Sequence, residues 1–431
     1  MPGRRALRRD GVNVSIETES PASSGEAVLG VRVLDERGGF TAPGRVSWSR
    51  GAFALGGRER ETDFAPVSWG ATELWLIPGL VDAHLHAAWH AFDAADRGRL
   101  DEAQTLAATE RALARTLAAG VTSARDAGGL DPLALRAIPR SSRPRMQLSI
   151  SIIDRALADA SGGLDRAVEA VLERGAAWVK LYGTAGIGSP AGAGLDATFT
   201  AAEMRDAVHR AERAGAGVMV HAWGGTAIDD AIEAGALSIE HGLFLTGEQA
   251  ARAAERDMTL VPTLRIYRLV ERMIDAGSLP AGLRARVAEA VGAHPGAVLR
   301  ARDAGLRIAL GTDYGTPEQH GTNGREFDAL VDAGLTPGEA LLAATRSGAE
   351  LLARVAERAG DRGAADRAAA SDRAIAADRG ALIGRIADRA VADGVILRRD
   401  PLQPGALSDP ESIAAVLLGG RLIDPATLRA V

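Results

Sequence analysis

The chain has 431 residues, of which 46% are hydrophobic and 25% charged, and its formal net charge is −6. These proportions are typical of globular proteins, and the negative charge argues against a nucleic-acid binder, which normally presents a basic face. Cysteine is absent, which excludes disulfides, thiolate metal ligands and a cysteine nucleophile. No window reaches the roughly 20 apolar residues of a membrane span, and Met1–Arg5 is not followed by the apolar region of a signal peptide. We therefore predict a soluble cytoplasmic protein that binds neither nucleic acid nor membrane.

The order of the predicted elements divides the chain into two parts. Residues 1–75 contain short β-like runs such as 27–34 and 44–48, separated by Gly and Ser clusters, and we interpret them as part of a small β-domain. From residue 76 to about 355, strand-like runs alternate with Ala-rich amphipathic segments. Eight runs have strand character: 75–83, 121–125, 146–153, 177–182, 217–221, 237–241, 258–264 and 307–313. The helical patterns between them include 104–118, 163–174, 201–213, 247–255 and 283–304.

Eight β/α units in this length predict an α/β fold with a (β/α)₈ TIM barrel over 76–355, and a doubly wound sheet is the alternative. Residues 356–384 form an insert rich in Ala, Arg and Asp, a composition that favours an exposed helix or a disordered segment. In residues 385–431, Val395–Leu397 and Ala414–Leu418 have strand character. We expect them to complete the small β-domain begun by residues 1–75.

Residues able to bind a metal stand at the ends of several predicted strands. His84 and His86 close the first strand, and side chains at i and i+2 of a strand point to the same side, about 7 Å apart. Functional groups of such barrels lie at the C-terminal strand ends, where later strands place four more candidates: Lys180, His221, His241 and Asp313. Four of the eight histidines fall at these ends, which predicts a metal site with nitrogen and oxygen ligands. Each residue alone has a structural alternative, such as a core histidine, an ion-paired lysine or a loop-capping aspartate.

Several stretches resemble the amidohydrolase superfamily of metal-dependent hydrolases. They are Pro78–His86, Val179–Leu181, Val220–Ala222, Ser238–Gly242 and Gly311–Asp313. Within that superfamily the chain looks like the imidazolonepropionase-like branch, which includes Xaa-Pro dipeptidases (prolidases). This narrower resemblance depends on Gly120–Asp126, Leu260–Leu264 and His320–Glu326. The resemblance covers residues 76–355 and implies a barrel with a small composite β-sandwich, here formed by the N- and C-terminal segments.

The resemblance also implies ligands for two divalent ions. His84, His86 and Asp313 would bind one ion. His221 and His241 would bind the other. Lys180 would bridge them as a CO₂-derived carbamate, since desolvation inside a barrel shifts a lysine towards its neutral form. Imidazole and carboxylate ligands suit Zn²⁺ best, with Mn²⁺, Co²⁺ and Fe²⁺ as alternatives.

These ligands predict hydrolysis of an amide-type C–N bond in a small molecule, such as a dipeptide or an N-acyl amino acid. A water bridging the two metals would act as hydroxide near neutral pH, and Asp313 would be the general base that later protonates the leaving amine. One alternative is a mononuclear imidazolonepropionase- or deaminase-type hydrolase of cyclic amides or amidines, with Lys180 unmodified. Another is a catalytically silent barrel used for binding. The oligomeric state stays open, a homo-oligomer included.

Four further residues are candidates for substrate contacts. Prolidase-like relatives often carry Tyr or His two places after the strand-five histidine, where this chain has Trp223, which offers only an indole N–H. Tyr182 and His320 are the next candidates, each with a structural role as the alternative. Arg265, after strand seven, is suited to pair bidentately with a substrate carboxylate or with a surface acid. The remaining histidines are expected at the surface or in supporting positions: His90, His209 and His294.

Overall fold

The computed structural model describes residues 25–55, 64–69, 73–91, 94–187, 189, 193–360 and 383–430. Most of the predicted insert at 356–384 therefore lies outside the described residues. Every helix in these ranges is too short or too polar to span a lipid bilayer.

The N-terminal part of the chain contributes five strands to one sheet. They are β1 (Gly25–Val33), β2 (Gly44–Ser49), β3 (Ala52–Phe53), β4 (Phe64–Val67) and β5 (Leu74–Pro78). β1 pairs antiparallel with β2 and parallel with both β4 and β5.

The central part of the chain forms a ring of parallel strands. They are β6 (Leu80–Leu85), β7 (Val121–Asp126), β8 (Arg145–Leu148), β9 (Ile152–Ile153), β10 (Trp178–Tyr182), β11 (Gly217–Ala222), β12 (Ser238–His241), β13 (Thr259–Val261) and β14 (Arg307–Ile308). Hydrogen bonds join β6 to β8 in order, and β9 to β14 in order. β8 and β9 are two halves of the third strand, separated where Ile150 adopts a φ of 69°.

Backbone hydrogen bonds outside the regular ladders close the ring. Ala177 N donates to the Leu148 carbonyl oxygen at 2.8 Å, and this bond links the end of β8 to the residue that precedes β10. The chain after β14 runs beside β6, where His86 N donates to the Tyr314 carbonyl oxygen at 2.8 Å. The fold is therefore the closed (β/α)₈ barrel that the sequence predicts, and the doubly wound alternative is excluded. The last predicted strand, 307–313, forms a regular ladder only over β14, because its remaining residues turn along β6 instead.

Gly79 separates β5 from β6, so the predicted strand 75–83 is two strands in two different sheets. A Cβ atom at Gly79 would lie 2.0 Å from Thr122 Oγ1, and only glycine permits so close an approach. Three C-terminal strands complete the first sheet beside β5: β15 (Gly394–Leu397), β16 (Ile413–Leu418) and β17 (Arg421–Ile423). This sheet combines strands from both ends of the chain, as expected.

The helices lie mostly between the barrel strands. They are α1 (Ala94–Arg97), α2 (Glu102–Ala118), α3 (Pro132–Ala137), α4 (Arg155–Ala160), α5 (Leu164–Glu173), α6 (Ala201–Arg213), α7 (Thr226–Ala234), α8 (Gly247–Glu255), α9 (Leu264–Asp275), α10 (Arg284–Asp303), α11 (Gly324–Asp332), α12 (Pro337–Leu342), α13 (Gly348–Gly360) and α14 (Pro425–Arg429). Local chemistry sets their starts: Thr200 Oγ1 accepts from Glu203 N at 3.2 Å, and Glu203 Oε2 accepts from Thr200 N at 2.8 Å. This is the capping box that the sequence predicts.

The apolar faces of these helices pack on the outside of the barrel. Leu113 and Leu117 of α2 and Val168 of α5 are fully buried, and each such side chain contributes about 1.5–3 kcal/mol of burial free energy. This packing surrounds the barrel, whose parallel strands place their C-terminal ends at one rim.

Candidate metal centre

His84, His86 and Asp313 meet at the barrel rim. The two imidazoles are buried, with ring centroids 5.5 Å apart. Their Nε2 atoms lie 3.3 and 3.2 Å from Asp313 Oδ1, and one ligand atom from each residue lies within 4.8 Å of the others. Asp313 reaches this point through a backbone φ of 54° and an N–H that donates to the His84 carbonyl oxygen at 2.7 Å. The spacing suits three ligands of a single divalent ion.

Lys180, His221 and His241 crowd the same place. Lys180 Nζ lies 3.4 Å from His84 Nε2. The ring centroid of His241 is 5.1 Å from that of His84 and 4.5 Å from that of His221. The structure thus brings together all six side chains that the sequence names as ligands.

His84, His86 and His241 each have a hydrogen-bond partner at Nδ1. The pairs are His84 with Glu240 Oε2 at 2.6 Å, His86 with the Gly128 carbonyl oxygen at 2.8 Å, and His241 with Thr263 Oγ1 at 2.7 Å. A carboxylate and a carbonyl only accept, so Nδ1 carries the proton in the first two pairs and Nε2 keeps the lone pair that binds a metal. His221 Nε2 is buried and has no hydrogen-bond partner among the described residues, as expected of a nitrogen reserved for an ion.

Burial and neighbouring charges set the protonation of these groups. Burial, followed by the positive charge of Lys180, holds the pKa of His221 well below its ordinary value, and burial followed by His221 does the same for His241. Both imidazoles are therefore neutral, which is the form that binds a metal. Burial alone would raise the pKa of Asp313, but the adjacent histidines, led by His84, hold it well below its ordinary range. Asp313 is therefore ionised.

Lys180 differs from an ordinary lysine. Burial lowers its pKa to about 8, although the negative charges of Glu240 and Asp313 oppose the shift. A neutral amine is the form that reacts with CO₂, and this pKa makes it accessible close to physiological pH. The donor set fits the divalent ions that the sequence implies.

Glu240 and Arg125 support the centre from inside the barrel, and neither is among the site residues predicted from the sequence. Arg125 Nη2 donates to both Glu240 carboxylate oxygens, at 2.8 and 2.9 Å, and its Nη1 donates to Ser238 Oγ at 2.9 Å. Burial would raise the pKa of Glu240, but Arg125 and then His84 lower it to about 2. The sequence feature that could have revealed this ion pair is a charged residue in each of two predicted strands, 121–125 and 237–241.

The backbone at His241 and Thr263 is in the left-handed region, with φ of 72° and 55°. For residues other than glycine this conformation costs about 1–3 kcal/mol and is concentrated at functional sites. His294 of α10 supports this turn, because its Nε2 donates to the His241 carbonyl oxygen at 3.0 Å. The sequence predicts His294 and His209 at the surface or in supporting positions. His294 has a supporting position, and His209 is exposed.

Tyr182 and Trp223, two of the predicted substrate contacts, lie close to the centre in different ways. Tyr182 stacks on His221, with ring centroids 4.2 Å apart and 18° between the ring planes. Trp223 is buried, and its Nε1 donates to the Tyr267 hydroxyl at 3.0 Å. The single donor of the indole is therefore used within the protein.

His320 and Arg265, the other two predicted substrate contacts, have different surroundings. His320 is buried against α2, where its Nδ1 lies 3.2 Å from Thr116 Oγ1. Arg265 lines a cavity of about 790 Å³. Basic, acidic and apolar side chains share that cavity: Arg325, Asp96, Glu318, Leu269, Met273 and Leu279. The roles of all four residues in substrate binding stay predictions.

Comparison with known proteins decides the family. The sequence profile of the amidohydrolase family matches residues 75–357. The chain belongs to this family. Over 360 residues, this amidohydrolase is 31% identical to an uncharacterized protein of Mycobacterium tuberculosis strain H37Rv, covering 81% of the chain and 86% of the relative. Over 271 residues it is 26% identical to ochratoxinase of Aspergillus niger, covering 62% of the chain and 50% of that protein.

Solved structures show the same architecture. The crystal structure of A. niger ochratoxinase has a TM-score of 0.75 and 22% identity to this amidohydrolase, covering 93% of the chain and 96% of that structure. A Xaa-Pro dipeptidase with bound methionine in its active site has a TM-score of 0.76 and 23% identity, covering 93% and 100%. At these identities the likeness concerns the fold. Family and fold together identify a hydrolytic enzyme acting on C–N bonds, which sets aside the catalytically silent barrel.

Proposed function

We propose that this amidohydrolase is a metal-dependent enzyme that hydrolyses the amide bond of small N-acyl amino acids or dipeptides. The observation that carries this proposal is the convergence of six candidate ligands from five strand ends at one point of the rim. One divalent ion would be held by His84, His86 and Asp313, and the other by His221 and His241. Lys180 would contact both ions as a carbamate. Zn²⁺ suits these ligands best, with Mn²⁺, Co²⁺ and Fe²⁺ as alternatives.

The chain's own residues supply the acid–base chemistry. When bound, the divalent ions supply Lewis-acid polarisation of a carbonyl and a lowered pKa of water. The ionised Asp313 lies beside His84 and His86, where it can take a proton from the attacking water and later give it to the leaving amine. Glu240 holds the Nδ1 proton of His84, which keeps Nε2 directed at the centre.

The cavity beside Arg265 supports a substrate that carries a carboxylate and an apolar group. α9, which carries Arg265, follows β13, and α11, which carries Arg325, follows β14, so both residues lie on the same rim as the centre. The guanidinium groups of Arg265 and Arg325 can pair bidentately with a carboxylate. Leu269 and Met273 offer an apolar surface to the rest of the molecule. The proposed setting is the cytoplasm, with a small molecule as substrate.

One observation favours a mononuclear alternative. His84, His86 and Asp313 alone satisfy the spacing of a single ion, and Lys180 would then remain an amine. A cyclic amide opened at one ion, as in imidazolonepropionase-type enzymes, is the corresponding reaction.

Metal analysis combined with native mass spectrometry separates these functions. The protein is loaded with Zn²⁺ or Mn²⁺ in bicarbonate and then tested on N-acyl amino acids, dipeptides and lactams. We expect two ions per chain, the added mass of one CO₂ and hydrolysis of linear amides. His221→Ala should lose one ion, whereas the matched control His209→Ala, at an exposed position of α6, should lose none. One ion without CO₂, together with lactam opening, supports the mononuclear enzyme; less than one ion per chain and no hydrolysis contradicts both.

A further inference from the structure

Trp223 and Tyr267 form a buried donor–acceptor pair beside the centre. Their rings lie 5.6 Å apart at 69°, and Trp223 Nε1 donates to the Tyr267 hydroxyl oxygen at 3.0 Å. An indole N–H can only donate, so the phenol oxygen is the acceptor in this pair and its own proton must point elsewhere. Within the described part of the chain, that proton has no acceptor. A buried hydroxyl donor without an acceptor costs free energy unless a ligand satisfies it.

The indole is held firmly in this position. The guanidinium of Arg286 lies over the Trp223 ring, 4.7 Å from its centroid, and Arg286 Nη1 is itself fixed by the Ala193 carbonyl oxygen at 2.6 Å. A cation over one face of the indole attracts the ring electrostatically. Trp223 therefore presents its N–H to Tyr267 in one orientation.

Tyr267 faces the metal ligands. α9 begins directly after Thr263, whose hydroxyl lies 2.7 Å from His241 Nδ1, and Tyr267 lies in the first turn of this helix. The Tyr267 ring is 6.1 Å from the His241 ring at 88°, and 5.2 Å from the His294 ring. The phenol therefore stands on the side of the centre formed by His221 and His241.

We propose that Tyr267 is a further catalytic residue, whose hydroxyl donates a hydrogen bond to the carbonyl oxygen of the scissile amide as that oxygen becomes negative. Trp223 is its positioning residue, because the indole N–H occupies the phenol oxygen and leaves the O–H directed at the substrate. The phenol keeps its proton throughout, since its ordinary pKa is about 10. This inference rests on the proposed amide hydrolysis. It also revises the role of Trp223, which acts on the substrate through Tyr267 and does not touch it.

Full-length, metal-loaded variants test this assignment. Wild type is compared with Tyr267→Phe, Trp223→Phe and the double variant, and with Thr259→Val as control. Thr259 also carries a buried hydroxyl without a partner among the described residues, but it lies at the start of β13, whereas the candidate ligands lie at the other ends of the strands. The readouts are metal per chain, kcat and KM on the best amide substrate, and affinity for methylphosphonate, a tetrahedral anion, by calorimetry.

The expected pattern is specific to a positioned donor. Tyr267→Phe should keep its metal, lower kcat by about 10²–10³-fold and weaken methylphosphonate binding by about tenfold or more. Trp223→Phe should show a smaller loss, and the double variant should be no worse than Tyr267→Phe, because the indole acts only through the phenol. Thr259→Val should behave like wild type in all three measurements.

Three results would overturn the assignment. Methylphosphonate could bind Tyr267→Phe as tightly as it binds wild type, or it could bind neither protein. The losses of the two single variants could also add in the double variant. Failure of the proposed function has another signature. In that case methylphosphonate binding still depends on Tyr267, but wild type hydrolyses no amide in the panel.

Discussion

His84 Nδ1 lies 2.6 Å from Glu240 Oε2, and Arg125 Nη2 holds the same carboxylate at 2.8 and 2.9 Å. A candidate metal ligand on the first barrel strand is thus oriented by an ion pair that joins the second and sixth strands through the barrel interior. The carboxylate can only accept, so it fixes the proton on Nδ1 and directs Nε2 towards Asp313 and Lys180.

Glu240→Gln should weaken metal binding while the barrel stays folded. The amide oxygen can still accept from His84, but the negative charge that makes Nε2 a better ligand is lost. Partners of this kind typically contribute 10–100-fold to metal affinity, so we expect a loss of about that size in a Zn²⁺ competition titration against a chelator. Glu339→Gln, at an exposed carboxylate that caps α12 through Thr336 N, is the control. Equal affinity in the two variants would show that Glu240 does not orient His84.

Arg125→Met should destabilise the apoprotein strongly. It leaves the Glu240 carboxylate buried without a counter-charge, and breaking a buried ion pair from one side costs about 3–5 kcal/mol. Urea denaturation of the metal-free protein measures this loss. Combining Arg125→Met with Glu240→Gln removes the unpaired charge and should restore part of the stability. A double variant less stable than Arg125→Met would contradict this explanation.

The strand-end ligands could be predicted from the sequence because they follow two strong rules: alternation along a strand, and catalytic groups at the C-terminal strand ends of a barrel. Glu240 could not, since its role depends on Arg125, a residue 115 positions earlier. Trp223 shows the same limit. The sequence predicts a substrate contact at Trp223, two places after His221, but cannot show its hydrogen bond to Tyr267, which lies 44 residues later on another element.

The boundaries of helices and strands were predictable only where the local sequence pattern determines them. The start of α6 followed from its capping box. The division of 75–83 at Gly79 did not, because the reason is a contact with Thr122, a neighbour in space on β7. Long-range packing therefore accounts for the features that the sequence did not reveal.

Thr263→Val should affect the second ion selectively. The hydroxyl of Thr263 lies 2.7 Å from His241 Nδ1, and valine keeps the shape but removes that partner. We expect about 10-fold or greater weakening of one of the two ions in a metal titration, with the other unchanged. Thr259→Val on β13 is the matched control, because the buried Thr259 hydroxyl has no partner among the described residues. Equal loss of both ions would show that Thr263 supports the whole rim.

His320→Gln should make the apoprotein less sensitive to acid. Burial, followed by the neighbouring His86, lowers the pKa of His320 from 6.5 to about 4. The unfolded chain then binds this proton more readily than the native one, so the free energy of unfolding falls as pH falls from about 6.5 to about 4, by about 3 kcal/mol. Urea midpoints between these pH values should change less in His320→Gln than in wild type, whereas the exposed control His209→Gln should match wild type. An unaltered KM would assign His320 to structure, and a raised KM with unchanged acid sensitivity would assign it to the substrate.

Arg265→Gln tests whether the substrate carries a carboxylate. A hydrogen bond to a charged group contributes about 1.5–3 kcal/mol, so losing the guanidinium should raise KM for N-acyl amino acids by about 10–100-fold. The same variant should leave KM unchanged for the matching carboxamides, which carry no negative charge. Arg268→Gln is the control, one turn further along α9, where Arg268 is exposed and lies 3.9 Å from Asp332. Equal effects on acids and carboxamides would mean that Arg265 shapes the cavity without binding a carboxylate, and the substrate class would then have to be sought among neutral amides.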